Sequence, residues 1–581
     1  MAKDTTHAKA PADVKEAEVQ RPAANEEGLA VKSVEDIHES IDPRFDLTSR
    51  PHASELDLVA HIGHPHHHHD TPGHHHHHGP FTPDPTTESK RSAASATLGG
   101  EKDPEAFEEP LYVDWEEGDP RNPANYSRGK KWLITATAAF FTLLAASNAS
   151  TYNMGFESML RDIKATHLQA TAGLSLYAVG FGITPLVTSS FSEEFGRRPL
   201  YICSGIIYVL MHLMVALAPN IQTVLVARFI QGAAGSAGST MVGGTIADIW
   251  AASERGIPMA LFSVTSIGST GLGPVAAGWI EMNPRLGWRW IQWIQLIISG
   301  TYICILPFVM SETRSPVLLT RLAKKLRKET GDKRYRARVE DERASLRQLI
   351  YISSTRPLYL LLTEPIVMAF SAWVGFAWGI LYCMIESISG VFRDVHGFNI
   401  GQVGTVFVTM FIGAMIGWTI NLYQEKLYQK YYPVRGADAR LYCACGAGVL
   451  LPVSMFIYAW CAYPSVTWVA QAIGVVLFTI SMFVIYNGVF SYLADCYGPF
   501  ASSALAGQSL ARNMMGVAFP LFTVQMFDAL GYRWGNTLFA LVAIVLMPIP
   551  FILLFWGSKL RRISKFSRMV LEQQAAEGKA I

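Results

Sequence analysis

From Trp132 onward the chain falls into about twelve apolar runs of roughly 20 residues, each long enough to cross the hydrocarbon core of a bilayer. A bilayer core offers no water to peptide groups, so runs of this kind must be helices that satisfy their backbone internally. They cover about 132–152, 168–190, 199–218, 223–246, 257–280 and 291–311, then 358–385, 403–422, 441–461, 466–490, 500–526 and 534–556. An all-α membrane protein of twelve transmembrane helices is predicted. Residues 1–130 contrast with this body: they are polar, charged and rich in Pro, Ser, Thr and Gly. Too little apolar surface is present to offset ordering entropy, so a disordered tail is expected there. No cleavable signal pattern opens the chain, so the first span is expected to direct insertion itself.

The loops set the orientation. Residues 312–356 form the longest connection and carry Arg321, Lys324, Lys325, Arg327, Lys328, Lys333, Arg334, Arg336 and Arg338. Residues 558–581 carry Lys559, Arg561, Arg562, Lys565 and Arg568. Positive residues mark the cytoplasmic side, so the linker and both termini are expected inside, with Lys130, Lys131 and Trp132 anchoring the first span. The expected organisation is a tail (1–130), a six-helix bundle (131–311), a basic linker (312–356), a second six-helix bundle (357–557) and a C-terminal tail (558–581).

Charge and cysteine content exclude several classes. Forty-eight basic residues against 47 acidic leave a net charge of +1, spread over short loops without a nucleic-acid patch. The seven cysteines (Cys203, Cys304, Cys383, Cys443, Cys445, Cys461, Cys496) lie in or beside apolar runs and lack zinc spacing. The tail holds a histidine tract from His61 to His78, read as a metal buffer or, preferentially, as low-complexity drift. No phosphate loop, metal constellation or partnered nucleophile is present, so neither an enzyme, a cofactor site nor an ATP-driven pump is expected.

Arg228 lies within an apolar span, where a charge costs about 2.5 kcal/mol or more unless it faces a cavity or partner. Gln231, Gly232, Gly235, Gly238, Gly243 and Gly244 follow it, a small-residue face that admits a close neighbour. After a polar turn, the next span carries Gly273, Pro274 and Gly278, and the proline permits a bend. The pattern recurs: Ala247-Asp248 at the end of the fourth span is echoed by Ala494-Asp495 at the end of the tenth, and Pro274 by Pro520. Two parallel halves with a site between them form a transporter plan.

The stretch Ser189 to Pro199, with Glu193, Gly196, Arg197 and Arg198, resembles the loop signature of the major facilitator superfamily, G-x-L-a-D-r-x-G-r-r, with Ser189 in place of the first glycine. Arg228 to Gly232 resembles the fourth-span motif of proton-coupled members, and Gly273-Pro274 with Gly278 the fifth-span motif of antiporters, with Ala277 replacing a glycine. Ser311 to Leu319, Ala323 to Gly331, Glu364 to Val367 and Ala504 to Phe522 are similar to stretches of the fungal drug:proton antiporters of the twelve-spanner class, polyamine and multidrug exporters among them. The resemblance spans about Asn125 to Ser558. It implies two pseudo-symmetric bundles and a gating latch of Glu193, Gly196, Arg197, Arg198 and Asp248, with Gly273 and Pro274 as a hinge.

The expected function is proton-coupled export of a drug, secondary metabolite or organic acid by a monomer in the plasma membrane. The alternatives are an importer or facilitator of an organic acid or polyamine, in an organelle membrane for instance, and a transporter-like nutrient sensor. Arg228 and Glu386 are the candidates for coupling, with a plain interfacial acid as the alternative reading of Glu386. The alternatives for Arg228 are that it holds an anionic cargo, tunes a neighbouring carboxylate or is structural, and its family position favours a coupling or structural role over direct cargo binding. Cargo contacts are expected from Asn148, Tyr152, Gln231, Trp378, Tyr382, Tyr486 and Asn487, on the helices that line the cavity in this fold. The scarcity of acids there argues against polycations and for lipophilic compounds or a weak organic anion.

Overall fold

The structure is a computed structural model that describes residues 110–251, 254–341 and 345–576. The expected polar tail up to residue 109, including its histidine tract, lies outside the described residues. Helices α1 (Arg128–Met154), α2 (Phe156–Ile163), α3 (His167–Ile183), α4 (Pro185–Phe195), α5 (Arg197–Ala216), α6 (Ile221–Ile249), α7 (Gly256–Glu281) and α8 (Gly287–Val309) build the first half. Helices α9 (Ser315–Thr330), α10 (Arg338–Asp341) and α11 (Leu346–Thr363) connect it to the second. That half contains α12 (Pro365–Asp394), α13 (Ile400–Val406), α14 (Val408–Arg435), α15 (Tyr442–Trp460), α16 (Trp468–Tyr497), α17 (Ala501–Leu546) and α18 (Pro548–Ile563), with α19 (Lys565–Ala576) following.

Seven segments are apolar and long enough to cross a bilayer, and two are composite: Ile400–Trp460 holds two spans and Trp468–Ile563 holds three. In the latter, Gly531 (φ 72°) breaks α17 and separates the eleventh span from the twelfth. The second span is the pair α3 and α4, bent by 44°. Pro185 starts α4, since a residue without an amide hydrogen is tolerated in a first turn. The remaining span is α6, a 29-residue helix whose apolar course is interrupted by Arg228, Gln231 and a run of Gly, Ala and Ser. Twelve spans result.

Local chemistry explains where several helices begin. Thr166 and Gln169 form a reciprocal capping box before α3, and Asn399 and Gln402 form another before α13. Asn220 accepts from the Thr223 amide and starts α6.

Helix pairing repeats with an offset of six spans. The first span packs on the fifth as the seventh packs on the eleventh, the second on the fourth as the eighth on the tenth, and the third on the fourth as the ninth on the tenth. The halves meet along α3 against α17 and α7 against α13 and α14. Small residues make these approaches possible. A Cβ on Gly273 would lie 2.7 Å from Thr151 and 2.8 Å from the Ser147 carbonyl, and one on Gly278 would lie 3.1 Å from the Gly404 Cα. The glycines flanking Pro274 therefore set α7 against both α1 and the opposite half.

Residues 110–127 depart from the expected disorder of 1–130. Strand β1 (Leu111–Tyr112) pairs in parallel with β2 (Tyr335–Arg336) of the linker. Trp115 donates from Nε1 to Ser315 Oγ at 2.6 Å. This stretch carries Leu111, Tyr112, Val113, Trp115 and Tyr126. The connection 312–356 is likewise mostly helical, clipped by the paired hydrogen bonds from Arg327 to Glu340 at 2.8 and 3.0 Å.

Candidate functional site

Both helical halves contribute to a closed, buried centre. Arg228 on α6 is fully buried, with its guanidinium 4.2 Å from the Tyr152 ring centroid and 4.4 Å from that of Tyr177. It donates to Gln231 Oε1 at 3.0 Å and to the Gly173 carbonyl at 3.4 Å, and its second terminal nitrogen has no partner. Glycine at 173 leaves room for the Tyr152 hydroxyl, which lies against it. The Gln231 amide nitrogen, both amide atoms of Asn148 and the Tyr152 hydroxyl are buried without a hydrogen-bond partner. Such groups cost roughly 1–3 kcal/mol each when left unsatisfied, and several of them are gathered at this centre.

The second half repeats this arrangement. Arg512 on α17 lies 4.2 Å from the Trp378 ring centroid and 5.1 Å from that of Tyr486. It donates to Ser509 Oγ at 3.0 Å, while its Nε and the indole nitrogen of Trp378 have no partner. Tyr382, one turn beyond Trp378 on α12, lies against Gly516 of α17, one turn from Arg512. None of the central side chains Asn148, Tyr152, Gln231, Trp378, Tyr382, Tyr486, Arg228 and Arg512 exceeds 9% exposure. Neither arginine forms an ion pair with a carboxylate among the described residues.

Glu386 lies one turn further along α12, toward the end of the bundle opposite the linker. One of its oxygens accepts from Thr171 of the first half at 3.2 Å, and the other has no partner. Beside it Asn153 donates to the Ile385 carbonyl at 3.0 Å, and beyond it Arg393 pairs with Glu157 at 2.7 Å. These bonds join the halves at the far end. Toward the linker end, Ser263 donates to Asn487 Oδ1 at 3.0 Å and Ser190 bonds Ser353.

At the linker end, Arg197 donates from Nε to Asp248, and Thr313 and Arg314 reach the same carboxylate at 3.3 and 3.7 Å. Glu312 accepts the backbone amides of Arg197, Arg198, Thr313 and Arg314 at 3.0–3.2 Å, capping α5 where the helix dipole favours an anion. Gly196 admits it: the backbone there is left-handed (φ 94°), and a Cβ would collide with the Glu312 carboxylate. The second half has its own cluster. Arg440 donates to Asp495 at 3.0 Å and to Glu425 at 2.7 Å, and Arg561 pairs with Asp438. Glu364 accepts from Tyr497, Ser564 and the Phe566 amide, fixing the start of α19.

Two expected roles need correction. Glu193 is outside the ion cluster: it exerts only a longer-range field on Arg197, and Glu312 occupies the place assigned to it. Asn487 is expected to meet cargo, but its amide is engaged by Ser263 and the Phe483 carbonyl at a contact between halves. Arg198 turns outward to cap the Pro307 carbonyl at 2.8 Å. Tyr177, Thr171, Glu312, the Arg561–Asp438 pair and the Arg440–Asp495 pair lie outside the expected site residues. An Asp248-like Asp495 was a usable signal for the last of these, and a tyrosine in an apolar run offered none.

Residues 138–520 match the Major Facilitator Superfamily. The chain is 35% identical over 465 residues to the "MFS-type efflux pump MFS2" of Trichophyton rubrum, covering 79% of this chain and 78% of that protein. It is 34% identical over 468 residues to the "Major facilitator superfamily multidrug transporter mdrA" of Aspergillus fumigatus, covering 79% and 76%. A similar fold is found in the xylose transporter XylE of Escherichia coli, with a TM-score of 0.51 at 14% identity, over 73% of this chain and 98% of that one. With two six-span halves closing on a buried polar centre, and with these relatives, the chain is a secondary transporter of the Major Facilitator Superfamily.

Proposed function

We propose that this transporter exports small organic molecules from the cytoplasm by alternating access, with protons entering in exchange. The carrying observation is the set of unpartnered polar atoms buried where the halves meet, on Asn148, Tyr152, Arg228, Gln231, Trp378 and Arg512. A cargo completes those hydrogen bonds, and the two halves then rock about it. Relatives named as efflux pumps and multidrug transporters support the outward direction. Glu386 is the proposed proton carrier, since it bridges the halves on the far side of the centre through Thr171. The latch of Arg197, Asp248 and Glu312 holds one end shut and must open in each cycle. Basic residues of the linker and C-terminal segment support a cytoplasmic location for that end, in a monomer at the plasma membrane whose partners are cargo, protons and lipid.

The test compares the extracellular small-molecule content of cells lacking the protein, overproducing it, or producing Glu386→Gln. A compound that accumulates outside only with the wild-type protein, with accumulation lost in Glu386→Gln, supports coupled export. Depletion of a compound from the medium by the wild type overturns the direction. Equal export by Glu386→Gln removes the proton role.

A further inference from the structure

The centre holds two buried guanidiniums and no carboxylate bonded to either. Arg228 is sandwiched by Tyr152 and Tyr177, and Arg512 lies against Trp378 and Tyr486. Each keeps an unpartnered N–H group, Nη2 of Arg228 and Nε of Arg512. Their other donors reach neutral acceptors only: Gln231, the Gly173 carbonyl and Ser509. Aromatic faces stabilise a cation by about 0.5–2 kcal/mol, which falls short of the several kcal/mol that desolvating each ion costs.

Four arginines at the linker end behave differently. Arg197, Arg314, Arg440 and Arg561 each meet an aspartate. Neither Arg228 nor Arg512 meets such a counter-charge among the described residues. The packing of elements says where it would enter: Arg228 of the first half lies against Tyr177 of α3, and α3 packs on α17 of the second half, which carries Arg512. The surrounding faces are flat and aromatic, and the unpartnered indole nitrogen of Trp378 and amide of Asn148 add neutral hydrogen-bonding groups.

We infer that the cargo is an organic anion, a planar aromatic carboxylate, whose charged end is held between Arg228 and Arg512 while its ring stacks among Tyr152, Trp378 and Tyr486. This rests on the transporter reading above but not on its direction or its coupling to protons. A guanidinium pairs with a carboxylate through charge-assisted hydrogen bonds that a neutral amide of the same shape cannot match. Cationic drugs are disfavoured by the same two charges.

Binding to the full-length protein purified in detergent tests this, read by tryptophan fluorescence with three isosteric probes: naphthoate, naphthamide and naphthylmethylamine. Loss of one charge-assisted bond weakens binding roughly ten- to a hundredfold. Naphthoate is therefore expected to bind tighter than naphthamide by that factor, with naphthylmethylamine weakest. Arg512→Gln should abolish the preference for the carboxylate, and Arg512→Lys should restore part of it. Equal affinity for all three, tighter binding of the amine, no binding of naphthoate, or an unchanged preference in Arg512→Gln overturns the inference. Should Arg512→Gln fail to elute as a monodisperse species, the charge preference of the wild-type protein decides by itself. A carboxylate preference in a protein that exports nothing from cells would sink the export reading and leave this one standing. Export of a cationic compound with no carboxylate preference would do the reverse.

Discussion

Arginines are buried at two places in this transporter, and their surroundings are opposite. At the linker end Arg197, Arg314, Arg440 and Arg561 each lie against an aspartate, and Glu312 and Glu364 cap chain starts with all their capacity engaged. At the centre Arg228 and Arg512 lie against rings and leave donors unused. At the linker end each of these arginines meets a carboxylate, whereas at the centre both guanidiniums meet only rings and neutral groups. The two kinds of arginine should therefore respond to substitution in opposite ways.

The largest effect is expected at the centre. Arg228→Ala should abolish transport while leaving expression and thermal stability near wild type, because it deletes a charge with no counter-ion. Efflux measured against surface abundance checks this, and normal flux from a well-expressed variant would break the contrast. Asp248→Asn should show the converse pattern. It strands Arg197 and Arg314 and is expected to destabilise the first half by up to about 3–5 kcal/mol, seen as a clear drop in the melting temperature in detergent, with residual transport. An undiminished melting temperature would mean the latch holds nothing.

Gly196→Ala sharpens the same point more gently. A side chain in the left-handed conformation costs about 1–2 kcal/mol, and displacement of Glu312 should uncap α5, lowering stability and slowing transport only a few-fold. The smallest effect is expected in the linker. The hydrogen bond from Arg327 holds the Glu340 carboxyl below its usual 4.5. Its contribution is complete above that value and is lost as pH falls through the lowered one. Since the pair is partly exposed it contributes below about 1 kcal/mol, so Arg327→Ala should leave transport intact while making residues 110–127 more open to protease at neutral pH.

Much of this was legible in the chain because lipid imposes a simple code. Apolar runs of bilayer length identify the spans, and Ala247-Asp248 against Ala494-Asp495 reveals the repeat, which the helix pairings display directly. Arg197 and Asp248 stood out because a charge next to a membrane helix is costly and rare. Glu312 did not, for its partners at the start of α5 lie more than a hundred residues away in the chain. Asn487 looked like a cavity residue because a polar side chain in a span must find some partner, and composition cannot say that the partner is Ser263 rather than cargo. Tyr177 carried no signal at all: whether a ring stacks on Arg228 or on a leucine depends on helix rotation, which packing alone decides.

The unneutralised pair at the centre also has an electrical consequence. In a membrane under voltage the field drops mainly across whichever end of the bundle is shut, so charges at the centre change side electrically each time the gates exchange. Each elementary charge that crosses 100 mV in this way gains or loses about 2.3 kcal/mol. An inside-negative potential then draws the empty carrier, with Arg228 and Arg512 uncompensated, toward its inward-open form. Once an anion has neutralised part of that charge, the outward step works against a weaker pull. The voltage a cell maintains anyway would thus reset the carrier after each release, using nothing more than two arginines left without partners.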